Sequence, residues 1–280
     1  MTDATLGENP QRKKALIYRH TVLVRISHWI NVLCILVLVM SGLQIFNAHP
    51  ALYWGAKSTF DDPIVAMRAV RGPDNGPIGV TSVFGARFDT TGVLGLSTTP
   101  DGTVAARGFP HWLTIPSYRD LATGRRWHFF FAWLFVINGI VYVVTSLLNG
   151  HVWRHLVPSR DQLRHMGRTI FDHLCFRFDH GHDYNVLQKL SYLAMIFVVL
   201  PLAILAGLAM SPGIDAAFPW IVDGLGGRQS ARAVHFAAAI AIVLFVLIHV
   251  VMVLISGVFN NLRSMITGRY AIRTEENVHD

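Results

Sequence analysis

Residues 231–259 read ARAVHFAAAIAIVLFVLIHVVMVLISGVF, an apolar run broken only by Arg232, two histidines, His235 and His249, and Ser256 near its end. A bilayer core needs about 20 apolar residues of helix, so this stretch is long enough to cross one. The two histidines are fourteen residues apart, close to four whole helical turns. Both rings therefore leave the same helix face, separated by about 21 Å of rise. Histidine inside a membrane helix is costly, faces the bundle interior and marks function by default.

Three further stretches are long and apolar enough to span, at roughly 22–46, 127–148 and 187–210. The composition agrees: 52% of the 280 residues are hydrophobic and 15% charged, against about 25% charged in soluble domains. The fold class expected is an all-α integral membrane protein, a four-helix transmembrane bundle forming a single domain over 1–280. The first span follows Arg12, Lys13, Lys14 and Arg19, but no small-residue cleavage site follows it, so an uncleaved span is expected. The 149–185 connection carries Arg154, Arg160, Arg164, Arg168 and Arg177, whereas 211–230 has only Arg228. Short cytoplasmic loops collect Lys and Arg, which puts both termini and 149–185 in the cytoplasm. The net charge of +7 then belongs to a membrane surface rather than to nucleic acid. Two cysteines and no CxxCH leave neither a disulfide framework nor covalent haem attachment.

The long extracytoplasmic segment 47–124, between the first and second spans, holds seven of the twelve prolines and ten glycines. It reads as irregular structure with one hairpin, Val93–Thr99 and Thr103–Arg107, around Pro100-Asp101-Gly102. Its aromatics argue for an ordered cap or docking surface. On the other side, Leu163, Met166, Ile170, Leu174 and Phe178 recur at helical spacing, which fits an interfacial helix or one packed over the bundle.

Four of the fourteen histidines fall within spans: His28, His128, His235 and His249. Singly, each has a structural reading; together they pair by depth. His128 and His235 follow Arg126 and Arg232 closely as the chain enters from outside. His28 lies nine residues past Arg19, about 13 Å of rise, and His249 eleven before Asn260, about 16 Å. Two histidines from different helices at each level suit bis-histidine ligation of two haems, since neutral imidazole is a common haem ligand. Arg25, inside the membrane edge, calls for an anion such as a haem propionate, and Arg126 is placed to serve the outer haem likewise. His182, Tyr184 and Asn185, just before the third span, offer hydrogen bonds and a proton route to a quinone, with His20 a second candidate. The other loop histidines lack the cysteine or acidic partners of a zinc site. Gly42, Gly139 and Gly207 allow close approach of helices or of a porphyrin, and Pro201 predicts a kink.

Arg25-Ile-Ser-His28-Trp29, Arg125-Arg126-Trp127-His128, Tyr184-Asn185-Val-Leu-Gln-Lys189 and the His235-x13-His249 span followed by Gly257 resemble the prokaryotic di-haem cytochrome b family. That family includes the cytochrome b561-like membrane subunits of nickel-iron hydrogenases, formate dehydrogenases and thiosulfate reductases. The resemblance implies two haems b, with His28 paired to His249 and His128 to His235, in the bacterial inner membrane. It implies electron transfer between a quinone at the inner haem and an extracytoplasmic redox protein. The outer segment and the 184–207 stretch most resemble the subgroup paired with periplasmic molybdenum oxidoreductases. Two other functions compete: a self-contained haem oxidoreductase acting on a small molecule such as superoxide, and a haem-free transporter or structural subunit. Turnover by the isolated chain distinguishes the first; absence of b-type bands in a reduced-minus-oxidised spectrum distinguishes the second.

Overall fold

A computed structural model describes residues 14–150, 152–167 and 186–273. The chain divides into two compact units, one formed by Ile30–Leu247 and the other by the terminal segments up to Trp29 and from Ile248. Four helices are long and apolar enough to cross a membrane: α1 (Val22–Phe46), α2 (Leu121–Leu148), a third at Val186–Ala209 and a fourth at Arg228–Ile255. None of the four contains Asp or Glu. Their outward faces carry side chains such as Leu36, Phe130, Ile137 and Leu244, each more than half exposed. Apolar exposure on this scale fits hydrocarbon rather than water.

Within the larger unit, α1 and α2 meet the third helix around Cys34, Val37, Phe131 and Phe135, with Leu200 and Ile204 packed against them. A polar pair lies in the same contact, where Asn138 Nδ2 donates to Asn31 Oδ1 at 2.8 Å. Helix α2 begins at Leu121 because Asp120 caps it, accepting from the Thr123 N–H. That is six residues before the span read from hydropathy, which passed over the polar first turn. After α2 the chain turns through Val152–Leu156 into the short helix α3 (Arg160–Arg164), opened by a Ser159/Gln162 capping box. The interfacial helix anticipated at 163–178 lies mostly outside the described residues.

The third spanning helix, α4 (Val186–Ala209), is not α-helical throughout. Met195–Val199 is a π-helical turn, with the Leu200 N–H bonded to the Met195 carbonyl. Pro201 has no N–H to give the preceding turn, and a π-turn absorbs the break. Two short helices, α5 (Pro212–Ala217) and α6 (Pro219–Gly224), lead to the fourth span, α7 (Arg228–Ile255).

Segment 47–124 is more ordered than its proline and glycine content suggests. Strands β2 (Ala51–Leu52), β3 (Val65–Arg71), β4 (Pro77–Val83) and β5 (Ala86–Asp89) form one antiparallel sheet in sequence order. The anticipated hairpin is present as β6 (Gly95–Thr98) and β7 (Val104–Arg107). It packs closely on the sheet: a Cβ at Gly79 would lie 2.4 Å from the Leu94 carbonyl oxygen. Phe84 and Gly85, both at positive φ, make the two-residue turn from β4 to β5. This layer is tied to the helix ends. Arg107 is buried and donates to the Ser117 carbonyl, Gln44 and Thr114. Gly55 accepts from the Gln229 and Ser230 backbones at the start of α7. Phe46, Leu52, Met67 and Ala233 share one apolar cluster.

In the smaller unit, β1 (Lys14–Tyr18) pairs antiparallel with β8 (Arg269–Arg273). Between α7 and β8, Gly257 at φ 100° turns the chain into α8 (Val258–Thr267). Asn260 holds that helix to the ribbon by exchanging two hydrogen bonds with Ala271.

Candidate functional site

Each predicted histidine sits close to a helix end. His128 is the eighth residue of α2 and His235 the eighth of α7, both helices leaving the outer segment or its neighbouring connection. His28 is the seventh residue of α1, and His249 the seventh from the end of α7. Equal counts from the helix ends give equal depths, about 10 Å of rise in each case. The side chains meet accordingly: ring centroids are 6.2 Å apart for His128–His235 and 6.4 Å for His28–His249.

These separations have a chemical meaning. A metal–imidazole nitrogen bond of about 2.0–2.1 Å on each side, with about 1.1 Å from nitrogen to ring centre, places two centroids about 6.3 Å apart. Among the described residues no cluster of three or more His, Cys, Asp or Glu gathers around a metal-sized gap. The donors brought together at each pair are two imidazoles from different helices, a set that would suit a haem iron and falls short of a tetrahedral zinc site.

The His128–His235 pair is fixed in orientation. His128 Nδ1 lies 3.2 Å from the Leu38 carbonyl and 3.1 Å from Ser41 Oγ, and His235 Nδ1 lies 2.8 Å from the Ala203 carbonyl. A carbonyl can only accept, so each Nδ1 carries the proton and each Nε2 keeps its lone pair. Donation from the far nitrogen to a carbonyl is the usual support of a metal-bound histidine. Two glycines give the rings room. A Cβ at Gly42 would lie 3.3 Å from His128 Cε1, and one at Gly207 3.2 Å from His235 Cε1. Gly139 faces open space and has no such part.

In the terminal unit, His28 stands edge-on to Trp29 at 5.3 Å, and its buried Nδ1 has no hydrogen-bond partner. His28 thus lacks the carbonyl support that orients His128 and His235. Trp29 Nε1 donates to the Met265 carbonyl and Arg25 Nη1 to the Ile266 carbonyl. Both acceptors lie in the last turn of α8, where carbonyls lack helical partners. Arg25 Nε remains buried and unpaired. His20 is half-buried in the turn after β1, its N–H on the Gly268 carbonyl. His182, Tyr184 and Asn185 lie outside the described residues.

Arg126 is exposed at the start of α2, where it helps hold the Asp120 carboxyl below its usual range after the Thr123 hydrogen bonds. The guanidinium that is half-buried near His235 is Arg232, one turn earlier on the same helix. Its Nη2 donates to the His49 carbonyl at 2.5 Å, and its Cζ stands 5.3 Å from the Phe46 ring centre. His49 Nε2 in turn meets the fully buried Tyr53 hydroxyl at 3.0 Å. Burial pushes the His49 imidazole below its ordinary 6.5, and Arg232 and Arg68 push it the same way. Sequence reading used Arg232 only as a depth marker. The signal available was its place three residues before a candidate ligand, the spacing that also separates Arg25 from His28.

The family model for prokaryotic cytochrome b561 matches residues 19–268. A relative from Azospira oryzae carries the name protein-methionine-sulfoxide reductase subunit YedZ1. It is 26% identical over 236 residues, covering 84% of this chain and 89% of its own length.

Proposed function

The chain belongs to the prokaryotic cytochrome b561 family, and we propose that it moves electrons through two haems b, held by His28–His249 and His128–His235. Membership makes it a multi-pass protein of the bacterial inner membrane that binds b-type haem and transfers electrons across the bilayer. The finer reading has electrons exchanged between a quinone on the His28–His249 side and a redox protein docked against 47–124 and 211–230. It keeps both termini and the 149–185 loop cytoplasmic.

One observation carries it: two histidine pairs, each about 6.3 Å between ring centres, at matched depths near the two ends of α7. Haem supplies the one-electron couple when bound; the protein supplies ligands, orientation and polarity. Ala203 and Leu38 hold the imidazoles of the outer pair in the ligating tautomer. Gly42 and Gly207 let them approach their helices. On the inner side Arg25 and Trp29 brace the first turns of α1 against α8, so His28 is presented from a fixed helix end. The quinone reading rests on His182, Tyr184, Asn185 and His20 and on the family resemblance. The partner reading draws support from the YedZ1 relative, whose name makes it a subunit of a reductase; a periplasmic, molybdenum-type oxidoreductase is the class proposed.

The test is haem stoichiometry and ligation in single variants. His28→Ala or His249→Ala should remove one haem, and His128→Ala or His235→Ala the other. Loss of both haems in all four variants, or of neither, contradicts the assignment. Quinol-driven haem reduction unchanged in His182→Ala and Tyr184→Phe would remove the quinone cluster from the account.

A further inference from the structure

We infer that Arg232, with His49 beside it, forms a carboxylate-binding site at the start of α7, and that its ligand is a propionate of the haem held by His128 and His235. The inference rests on the functional reading above and adds the residues that receive that haem's acidic edge.

Arg232 is half-buried and, among the described residues, donates to the His49 carbonyl. A guanidinium offers five N–H donors in a fixed fork that matches a carboxylate. Among the described residues no carboxylate is paired with it, and the four spanning helices contain none. A cation withdrawn from water without an anion is costly, and burial is repaid when a charge partner completes the fork. Arg68 acts on the same His49 imidazole as Arg232, and the nearby Tyr53 hydroxyl is engaged with His49.

Position names the anion. Arg232 precedes His235 by three residues, so the two side chains lie on one face of α7. The same spacing places Arg25 before His28, where the buried guanidinium nitrogen Nε lacks a partner. A haem ligated at His235 brings two carboxylates to a chain whose spans supply none. Arg126, by contrast, is exposed and already faces Asp120.

A free carboxylate entering from the aqueous side would share this chemistry, and the experiment separates the two. The full chain, purified with both haems, is titrated spectroelectrochemically as wild type, Arg232→Gln, Arg232→Lys and Arg126→Gln, and as wild type in acetate against chloride of equal ionic strength. Removing the cation favours the ferric form. Arg232→Gln should therefore shift the reduction equilibrium of one haem about tenfold toward oxidised, about 59 mV downward for one electron, with the other haem unmoved. Arg232→Lys should move that midpoint by less than half of the Arg232→Gln shift, and it should shift the propionate carboxylate band in the redox-difference infrared spectrum. This second readout serves if the glutamine variant does not fold. Unmoved midpoints in Arg232→Gln, an equal shift in Arg126→Gln, or an acetate-dependent midpoint in wild type would each overturn the inference. A wild-type chain with fewer than two low-spin haems overturns the functional reading itself, a result distinct from unmoved midpoints in a chain holding both.

Discussion

Replacing Gly207 with alanine sets two effects of opposite sign against each other. Within a helix, Gly→Ala is worth about 1 kcal/mol of added stability. Here the new Cβ would lie 3.2 Å from His235 Cε1 and 3.3 Å from Nδ1. Carbon contacts sit comfortably at about 3.5–4.0 Å, so the imidazole would have to retreat by about 0.3–0.8 Å. It is not free to do so, because Nδ1 is held on the Ala203 carbonyl at 2.8 Å. Overpacking of this kind costs about 1–3 kcal/mol, and functional groups tolerate displacement of only about 0.5 Å. The steric cost outweighs the helical gain over most of that range and falls on the ligand. A net loss of about 1.4 kcal/mol means about tenfold weaker retention of one haem. The assay is haem per chain by pyridine haemochromogen, with the low-spin ferric EPR spectrum of each haem. Gly207→Ala, and Gly42→Ala against His128, should deplete or perturb one haem and spare the other, while Gly139→Ala keeps both. If Gly207→Ala retained both haems with wild-type spectra and melted at a higher temperature, the glycine would serve helix packing alone and the reasoning would be wrong.

Ser41→Ala removes one of two partners from His128 Nδ1 but leaves the Leu38 carbonyl, so one haem midpoint should move while haem content stays at two; loss of that haem would show the hydroxyl to be essential. Asn138→Leu leaves Asn31 without its 2.8 Å amide partner and should destabilise the detergent-solubilised protein by about 0.6–2 kcal/mol, with Asn31→Leu/Asn138→Leu recovering part of the loss in a double-mutant cycle. The depressed pKa of His49 has a definite sign: the unfolded state binds the proton more readily, so stability is full above about 6.5 and falls as pH drops toward the folded value. Thermal melts between about pH 7 and 5 should show that slope, reduced in His49→Gln; an unchanged slope would place the titration elsewhere.

The sequence was most informative where few numbers decide the outcome. Helix rise is fixed, so the counts that separate His28, His128, His235 and His249 from polar flanks set depth without any knowledge of packing. The counts themselves shifted: α2 starts at Asp120's cap and α7 ends before Gly257, which hydropathy alone smooths over. The sheet β2–β5 escaped notice because Arg68, Arg71 and Arg87 interrupt its alternation, although Gly72–Gly76 and Phe84-Gly85 carried turn signals. The β1–β8 ribbon pairs residues more than 250 positions apart, a contact no local pattern encodes. The closeness of Gly42 and Gly207 to imidazoles on other helices is tertiary in the same way, since a mid-span glycine looks alike whether it faces a ring, as these do, or open space, as Gly139 does. Arg126 and Arg232 illustrate the limit most plainly. Both precede a histidine at the same end of the bundle, and only the folded chain shows that Arg126 is exposed and Arg232 half-buried beside His49.

The most direct test of the central claim is a redox-potentiometric titration of the purified chain, read by optical and EPR spectroscopy in the wild type and in His235→Ala. Two low-spin bis-histidine components in the wild type, with the loss of one in the variant and the other unchanged, is the predicted result. A single component in the wild type, or a variant that keeps both, would contradict it.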